Sequence, residues 1–349
     1  MRVMGWPAFK NRAHNPYNSL LYRPMAGLGV RVDEFDAGRL LRGGYDVLHL
    51  HWPDASLNLR SSMKCFVRTC LMLGLLRLAR LRGTKLVWTM HNLKSHEAPH
   101  PRVERFFWRR FPRLLDGYIS LSEAGRETAL EQLPALQSLP GFVVPHGHYR
   151  GVYPDEVTRA QARQQLGVSA KSPVLLYLGL IRPYKNVPHL IRTFRSLSDP
   201  EAVLMVAGKP FAPTLSEEIK SAAAGDARVR LFLGFIPDAE LQRYLRAADL
   251  VVLPFTEFSN SGSALLALSF DCPILMPRKG AVEELRQQVG GDWVRTYDGD
   301  LTPDILQSAL RWALEIARPD RAPLERLDWP DLARQTVEAY RQLSRGTAA

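Results

Sequence analysis

The sequence predicts an α/β protein made of two doubly wound parallel sheets. Three observations carry that expectation. Strand-like runs alternate with amphipathic segments along the whole chain, the alternation breaks once near residue 150 and restarts, and the runs are apolar enough to be buried. In the first half RVMGW, VRVDEF, YDVLHLHW, KLVWTMHN and GYISLS read as strands, with helical patterns over 15–28, 61–82, 101–111 and 123–133. Residues 141–156, GFVVPHGHYRGVYPDE, read as a Gly- and Pro-punctuated crossing. Then SPVLLYLGLI, AVLMVAGKP, VRLFLGF, LVVLPF and CPILMP resume the pattern, with helices between and after. Two such sets give two facing Rossmann-like domains, over 1–150 and 151–330, and leave a tail over 331–349 that the resemblance given below implies to be a closing helix. Ligands of open parallel sheets bind at the carboxyl ends of the strands. The site is therefore expected in a cleft between the domains.

Composition narrows the class. A chain of 349 residues, 46% hydrophobic and 23% charged, is a globular protein with room for two cores. Cys65, Cys70 and Cys272 make neither a disulfide framework nor a zinc spacing, which points to a reducing compartment. MRVMGWPAFKNR lacks the apolar core of a signal peptide, and no run has the length of a membrane span. Charge is divided unevenly. Residues 1–150 hold 22 basic and 11 acidic side chains, whereas residues 151–349 hold 24 of each. That one-sided field calls for an anionic partner: nucleic acid, an acidic membrane surface or a phosphorylated substrate. Residues 60–82 are apolar yet studded with cations, and PRVERFFWRRF sets Phe106, Phe107 and Trp108 beside Arg105, Arg109 and Arg110. Aromatics beside cations suit a membrane interface. A packed helix with a solvated basic edge explains the same pattern.

The strand ends carry the candidate chemistry. In LGLIRPYKN, Gly179 lets backbone approach a ligand, Arg182 and Lys185 fit a diphosphate, and Asn186 is expected to cap the next helix. Val187, Leu190, Ile191 and Phe194 give that helix its buried face. After LVVLPF, the small polar loop Asn260, Ser261, Gly262 and Ser263 opens the helix ALLALSF and forms a second anion-suited position; plain N-capping by Ser261 or Ser263 is the alternative. In the first half, YDVLHLHWPD places His49, His51 and Asp54 at one strand end, and KLVWTMHNLKSHE places His91 and Asn92 at the next, with His96 and Glu97 after them. Such groups deprotonate a hydroxyl or bond a sugar. His49 reads as a satisfied core residue. Asn15 and Asn18, in the loop after the first strand, join His51 and Asn92 as candidate acceptor contacts. No acidic residue stands at ligand spacing from the histidines, so no metal is expected.

The order of these pieces resembles the GT-B glycosyltransferases, in which two Rossmann-like domains sandwich a nucleotide sugar. YDVLHLHWPD, HNLKSHE, HGHYR, GLIRPYK and NSGSALLALS are similar to the xanthan-type, exopolysaccharide-building β-mannosyltransferases, and the likeness runs from NPYNSLLY to the tail WPDLARQTVEAYRQL. The resemblance implies transfer of mannose from GDP-mannose to a lipid-linked glucuronosyl oligosaccharide, with inversion, by a peripheral enzyme on the inner face of the plasma membrane. It implies that Gly179, Arg182 and Lys185 meet the donor diphosphate and that Asn260 to Ser263 take its other side. It puts His91 beside the donor sugar, and Gly234 and Phe235 toward the base. The retaining subgroup carries two glutamates eight residues apart, where this chain has Phe258 and Leu266; Glu257 only flanks the first place. That departure agrees with inversion.

An inverting transfer needs a general base, here Asp54 or Glu97, with Asp54 preferred because it follows its strand directly and Glu97 suited to orienting His91. It also needs a stabilised leaving group, here by Arg182, Lys185 and the helix at Gly262 in place of a metal. Rival readings are a transferase using a UDP-sugar, a sugar-nucleotide epimerase of the same architecture, and a nucleic-acid-binding protein. A dehydrogenase is disfavoured because neither VMGWPAFK nor YLGLIRPYK supplies Gly-x-Gly-x-x-Gly.

Overall fold

The computed structural model describes residues 1–13, 15–93, 99–257 and 260–345. The chain packs into two compact units, Met1–Gly147 with the segment from Leu327 onward, and His148–Arg326. The first unit holds β1 (Arg2–Trp6), β2 (Arg31–Glu34), β3 (Val47–Leu50), β4 (Lys85–Met90), β5 (Gly117–Ser120) and β6 (Gly141–Val143), in spatial order β2-β1-β3-β4-β5-β6. The second holds β7 (Val174–Leu178), β8 (Val203–Ala207), β9 (Val229–Phe232), β10 (Leu250–Val252), β11 (Ile274–Pro277) and β12 (Val294–Tyr297), in order β12-β11-β10-β7-β8-β9. Every strand pair is parallel. Strands β3, β5, β7, β8 and β11 are buried at every position, as expected where both faces of a sheet are covered.

The structure departs from four local expectations. The crossing over 141–156 begins with a strand, β6, and β12 adds a sixth strand to the second sheet. Both are edge strands with partly exposed residues, so neither has the apolar run that marks the others. The segment 15–28 is a helix, Tyr17–Tyr22, followed by a 3₁₀ turn, Arg23–Leu28, with Pro24 at its start. A helix at Ala37–Arg42, capped by Asp36, was not foreseen.

The C-terminal helix Trp329–Arg345 belongs to the first unit. It buries Leu332, Val337 and Tyr340 against Val3, Tyr17, Leu21 and Val87 on one face of the first sheet. The opposite face packs Leu48, Leu50 and Trp88 against Phe107 and Phe111.

Each sheet has one place where chain order reverses: between β1 and β3 in the first, and between β7 and β10 in the second. The loops leaving those two strands diverge and leave a crevice at the carboxyl edge. Beside it the second sheet is tightly closed. Gly208, after β8, has φ +150°, and a Cβ there would lie 1.9 Å from the Gly179 carbonyl oxygen. Gly208→Ala is therefore expected to destabilise the fold by about 3 kcal/mol through strain and overlap. The check is a lower urea midpoint at unchanged slope.

Candidate active site

Strand β7 runs into Gly179 at φ +133°. A Cβ on Gly179 would meet Ser263 Oγ at 3.4 Å and Lys185 Nζ at 3.6 Å. The bare glycine thus leaves a space that a hydroxyl and an ammonium both border. Ser263 lies in the first turn of the helix Gly262–Ser269, whose N-cap Ser261 accepts a hydrogen bond from the Ala264 N–H at 3.2 Å. Other N–H groups of that turn have no intrahelical acceptor. The two loops are tied together, because the Tyr184 carbonyl accepts from Thr256 through its N–H at 2.8 Å and its Oγ1 at 3.1 Å. Lys185 Nζ sits 5.0 Å from the Phe255 ring centre. No carboxylate among the described residues pairs with it. Burial, reinforced by the Arg182 charge, pulls its pKa down to about 8. The Arg182 guanidinium lies 5.1 Å from the Phe211 ring centre. Next door, the Gly234 N–H donates to the Gly208 carbonyl at 3.2 Å, which joins the loops after β8 and β9. Leu180, Phe211 and Phe235 are exposed on these loops, a surface of the kind on which planar rings stack.

The other reversal point, in the first unit, gathers aromatic and imidazole rings. His51 follows β3 and His91 follows β4, and their Nδ1 and Nε2 atoms are 3.0 Å apart. Trp52 stacks on His91 with centroids 4.4 Å apart and planes 23° apart. Tyr17 meets His91 edge-on at 4.7 Å and His146 at 4.8 Å. Burial drives the basicity of His51 and His91 well below the usual imidazole range, that of His49 down to about 3 and that of His146 to about 4. Asp54 lies in the 3₁₀ turn Pro53–Leu57, almost fully buried. Burial raises its pKa to about 6, and Glu104 adds to the rise. Glu34, at the end of β2, anchors the loop after β1 by accepting N–H bonds from Ala8, Phe9 and Lys10 at 3.2, 2.6 and 2.9 Å.

Residues 158–298 match the family "Glycosyl transferases group 1". Over 330 residues the chain is 32% identical to the GDP-mannose:glycolipid 4-beta-D-mannosyltransferase of Xanthomonas campestris pv. campestris, covering 95% of this chain and 89% of that one. It is a GT-B glycosyltransferase. The fold agrees. Sucrose-phosphate synthase from Thermosynechococcus elongatus superposes with a TM-score of 0.70 at 15% identity over 99% of this chain and 100% of that one. HepE of Anabaena, solved in complex with UDP-glucose, does so at 0.64 and 16% over 99% of each chain.

In this glycosyltransferase Gly179, Lys185 and Ser263 converge, with Arg182 on the same loop. Asn260, Ser261 and Gly262 form the partly exposed entry to the helix beside them, and Ser261 is its cap. Gly234 and Phe235 sit on the neighbouring loop, Phe235 at 71% exposure. Asn186 departs from expectation. It adopts a left-handed conformation, and only its carbonyl serves the helix Val187–Arg195, accepting from the Leu190 N–H at 3.2 Å, while its side chain makes no cap. In the first unit Asn15 accepts from the Tyr17 N–H at 3.0 Å and is partly exposed, as is Asn92. Of the candidate acceptor contacts, Asn18 and His51 are buried. Asn18 is fully buried with its amide donating to the Pro7 carbonyl at 2.5 Å, and His51 is buried between Tyr22 and His91. His49 is a satisfied core residue, as expected, bonded to Thr89 at 2.7 Å. Among the described residues no group of three His, Cys, Asp or Glu is arranged to hold a metal ion. His96, Glu97 and Phe258 lie outside the described residues.

Sequence reasoning missed Trp52, Tyr17, Tyr22 and Tyr340 around the histidines, and Phe211 and Phe255 beside the cations. Trp52 was detectable, being adjacent to His51. Tyr340 had no local signal, since it reaches His49 from the other end of the chain.

Because Lys185 titrates near 8, an anion that binds its charged form raises that value. Nucleotide diphosphate affinity is then expected to be full below about pH 8 and to fall up to tenfold per pH unit above it. Lys185→Met should remove this dependence and weaken binding roughly 10- to 100-fold, as read by calorimetric titration with GDP across pH 6.5–9.5.

Proposed function

We propose that this enzyme transfers mannose from GDP-mannose, with inversion and without a metal, to a lipid-linked oligosaccharide with a glucuronosyl end, in the assembly of a bacterial exopolysaccharide. The observation that carries the reading is the 32% identity over 95% of the chain to a GDP-mannose:glycolipid 4-beta-D-mannosyltransferase. The convergence of Gly179, Lys185 and Ser263 supports a diphosphate site built from fixed charge and backbone amides. In the proposed reaction a base removes the acceptor hydroxyl proton. The acceptor oxygen bonds to the anomeric carbon as that carbon's bond to the phosphate oxygen breaks, and GDP leaves with the electron pair. Lys185, Arg182 and the first-turn amides of Gly262–Ser269 take up the charge that develops on the leaving group. Asp54 is the base. A carboxylate with a pKa near 6 is ionised at neutral pH yet basic enough to share a proton in the transition state.

Two measurements test this. In a thermal-shift panel GDP-mannose should stabilise the protein beyond UDP-sugars, by about 2.7 kcal/mol at 100 times its Kd. Preference for a UDP-sugar would replace the donor, and turnover without acceptor would favour the epimerase reading. Asp54→Asn should lower kcat by about 10²–10⁴-fold while donor binding persists, and should abolish an acid limb near pH 6. Near-normal turnover would return the base role to Glu97.

The acceptor class brings a membrane with it, and the first unit supplies a fitting surface. The helix Ser62–Leu81 buries Cys65, Thr69, Met72, Leu76 and Ala79. Its other side exposes Met63, Phe66, Val67, Leu71, Leu78 and Leu81, Leu71 at 69% and Leu81 at 74%. At 100° per residue these six fall within one sector of about 140°. Lys64, Arg68, Arg80 and Arg82 flank it, Arg77 falls within it, Arg60 precedes the helix, and no Asp or Glu occurs between Asp54 and Glu97. Phe66 packs edge-on against Phe106 at 5.3 Å, and Arg110 lies 3.9 Å over Phe106, which extends the basic face onto the helix Pro101–Arg110. No described helix is long and apolar enough to cross a membrane. An apolar stripe rimmed by cations fits the headgroup layer of an anionic bilayer, reached peripherally from the inner face of the plasma membrane. Flotation should show binding to phosphatidylglycerol vesicles at low salt and weak binding to phosphatidylcholine. Leu71→Asp with Leu81→Asp should abolish it and leave donor binding intact.

A further inference from the structure

The proposed reaction leaves one charge unmatched. A bound sugar nucleotide carries one negative charge on each phosphate. When the bond to the anomeric carbon breaks, its electron pair stays on the phosphate oxygen, and the departing diphosphate holds one charge more. Arg182 and Lys185 match the donor and fall one short of the leaving group. The first-turn amides of Gly262–Ser269 add at most about half an elementary charge.

Three other basic residues follow strands of the second sheet at the same edge: Lys209 after β8, and Arg278 and Lys279 after β11. Arg278 is already paired, with Glu283 at 3.1 Å and Asp298 at 3.2 Å. Lys209 lies beyond β7, on the side away from β10. Lys279 reaches back over the loop that leaves β10, and its Nζ donates to the Thr256 carbonyl at 3.3 Å. Thr256 is the residue whose N–H and hydroxyl hold the Tyr184 carbonyl. It follows Phe255, whose ring centre is 5.0 Å from Lys185 Nζ. The ammonium groups of Lys185 and Lys279 thus border one segment, Phe255–Thr256.

The backbone fixes where Lys279 stands. The Arg278 N–H prolongs the pairing with β12 by donating to the Tyr297 carbonyl at 2.8 Å, the Lys279 N–H closes on the Pro277 carbonyl at 2.9 Å, and Gly280 turns the chain at φ +54°. The Lys279 side chain stays exposed to ligand, and among the described residues no carboxylate pairs with it. An ammonium has three donor hydrogens, of which Thr256 takes one.

We propose that Lys279 is a third cation of the diphosphate site and acts on the charge that the leaving group gains. Its role rests on the diphosphate site proposed at Gly179, Lys185 and Ser263. A fixed cation attracts an anion in proportion to the anion's charge. Lys279 therefore favours the departing diphosphate over the bound sugar nucleotide, and that difference lowers the barrier. Anchored on Thr256, the ammonium is in place before the bond breaks, and its remaining donors are directed to phosphate oxygens.

Calorimetric titration of the full chain with GDP and with GDP-mannose, without acceptor, reads the difference. Lys279→Met should weaken GDP about tenfold and GDP-mannose by no more than about threefold. It should lower kcat about tenfold with a smaller change in donor KM. The urea midpoint should not move, because the side chain is exposed. Lys279→Arg keeps the charge and should retain most of both properties. GDP affinity and kcat within about twofold of wild type in Lys279→Met, the size of an ordinary surface substitution, overturn the proposal. So does an equal loss of GDP and GDP-mannose, the result if Lys279 merely straps the β10 loop. Lys185→Met separates this role from the site beneath it. Binding lost in Lys185→Met but kept in Lys279→Met refutes Lys279 alone, whereas nucleotide binding indifferent to both substitutions refutes the diphosphate site. If the thermal-shift panel selects a UDP-sugar, UDP and that sugar nucleotide are the probes.

Discussion

A parallel sheet whose strand order reverses at its middle has one place where successive loops part, and both sheets of this enzyme are built that way. Backbone hydrogen bonding consumes the interior of each sheet. Chemistry is therefore confined to the carboxyl edge, where chain direction makes every strand deliver a loop to the same side. Gly179 leaves β7 and the Ser261–Ser263 turn follows β10, the two strands that flank the reversal in the second sheet. Tyr17 follows β1 and His51 follows β3, the corresponding pair in the first. Within each unit the candidate residues are scattered in sequence and gathered at one sheet edge for this one topological reason.

The same constraint explains what the sequence made legible. Central strands must be apolar on both faces, so runs such as VLLYL and VLMVA announce themselves. Edge strands need not be, so GFV passed for a loop and VRTY went unseen. Glycine and cations at a strand end were readable as an anion site because no sheet needs them there. Burial of a polar residue was not readable. Asn18 and His51 read as ligand contacts by type and position, yet both are buried and hydrogen-bonded to the protein, Asn18 through its amide nitrogen and His51 through both ring nitrogens. Asn186 fits a cap by type, but its left-handed backbone directs the side chain away from that role. The phenols that complete the histidine chain come from helices, one of them at the far end of the sequence, where a Tyr on a buried helical face is indistinguishable from packing.

Burial acts in opposite senses on the two units. In the second it strips solvent from Lys185 beside another cation, which disfavours the ammonium. In the proposed reaction a dianionic diphosphate pairs with the ammonium and offsets that penalty. A flexible, solvated lysine would bind the same group with less discrimination between bound substrate and the more highly charged leaving group.

In the first unit burial works by removing charge. The histidines stay neutral, and their dipoles are oriented by Tyr22, Tyr340 and Thr89 without a formal charge. Glycosyl transfer passes through a state in which the sugar becomes cationic while the diphosphate becomes more anionic. In the proposed reaction positive charge belongs at the phosphate, the role proposed for Arg182 and Lys185. Within the first unit burial keeps the imidazole cluster uncharged, and within the second it disfavours the Lys185 ammonium until an anion pairs with it, so each unit sets its own charge by desolvation.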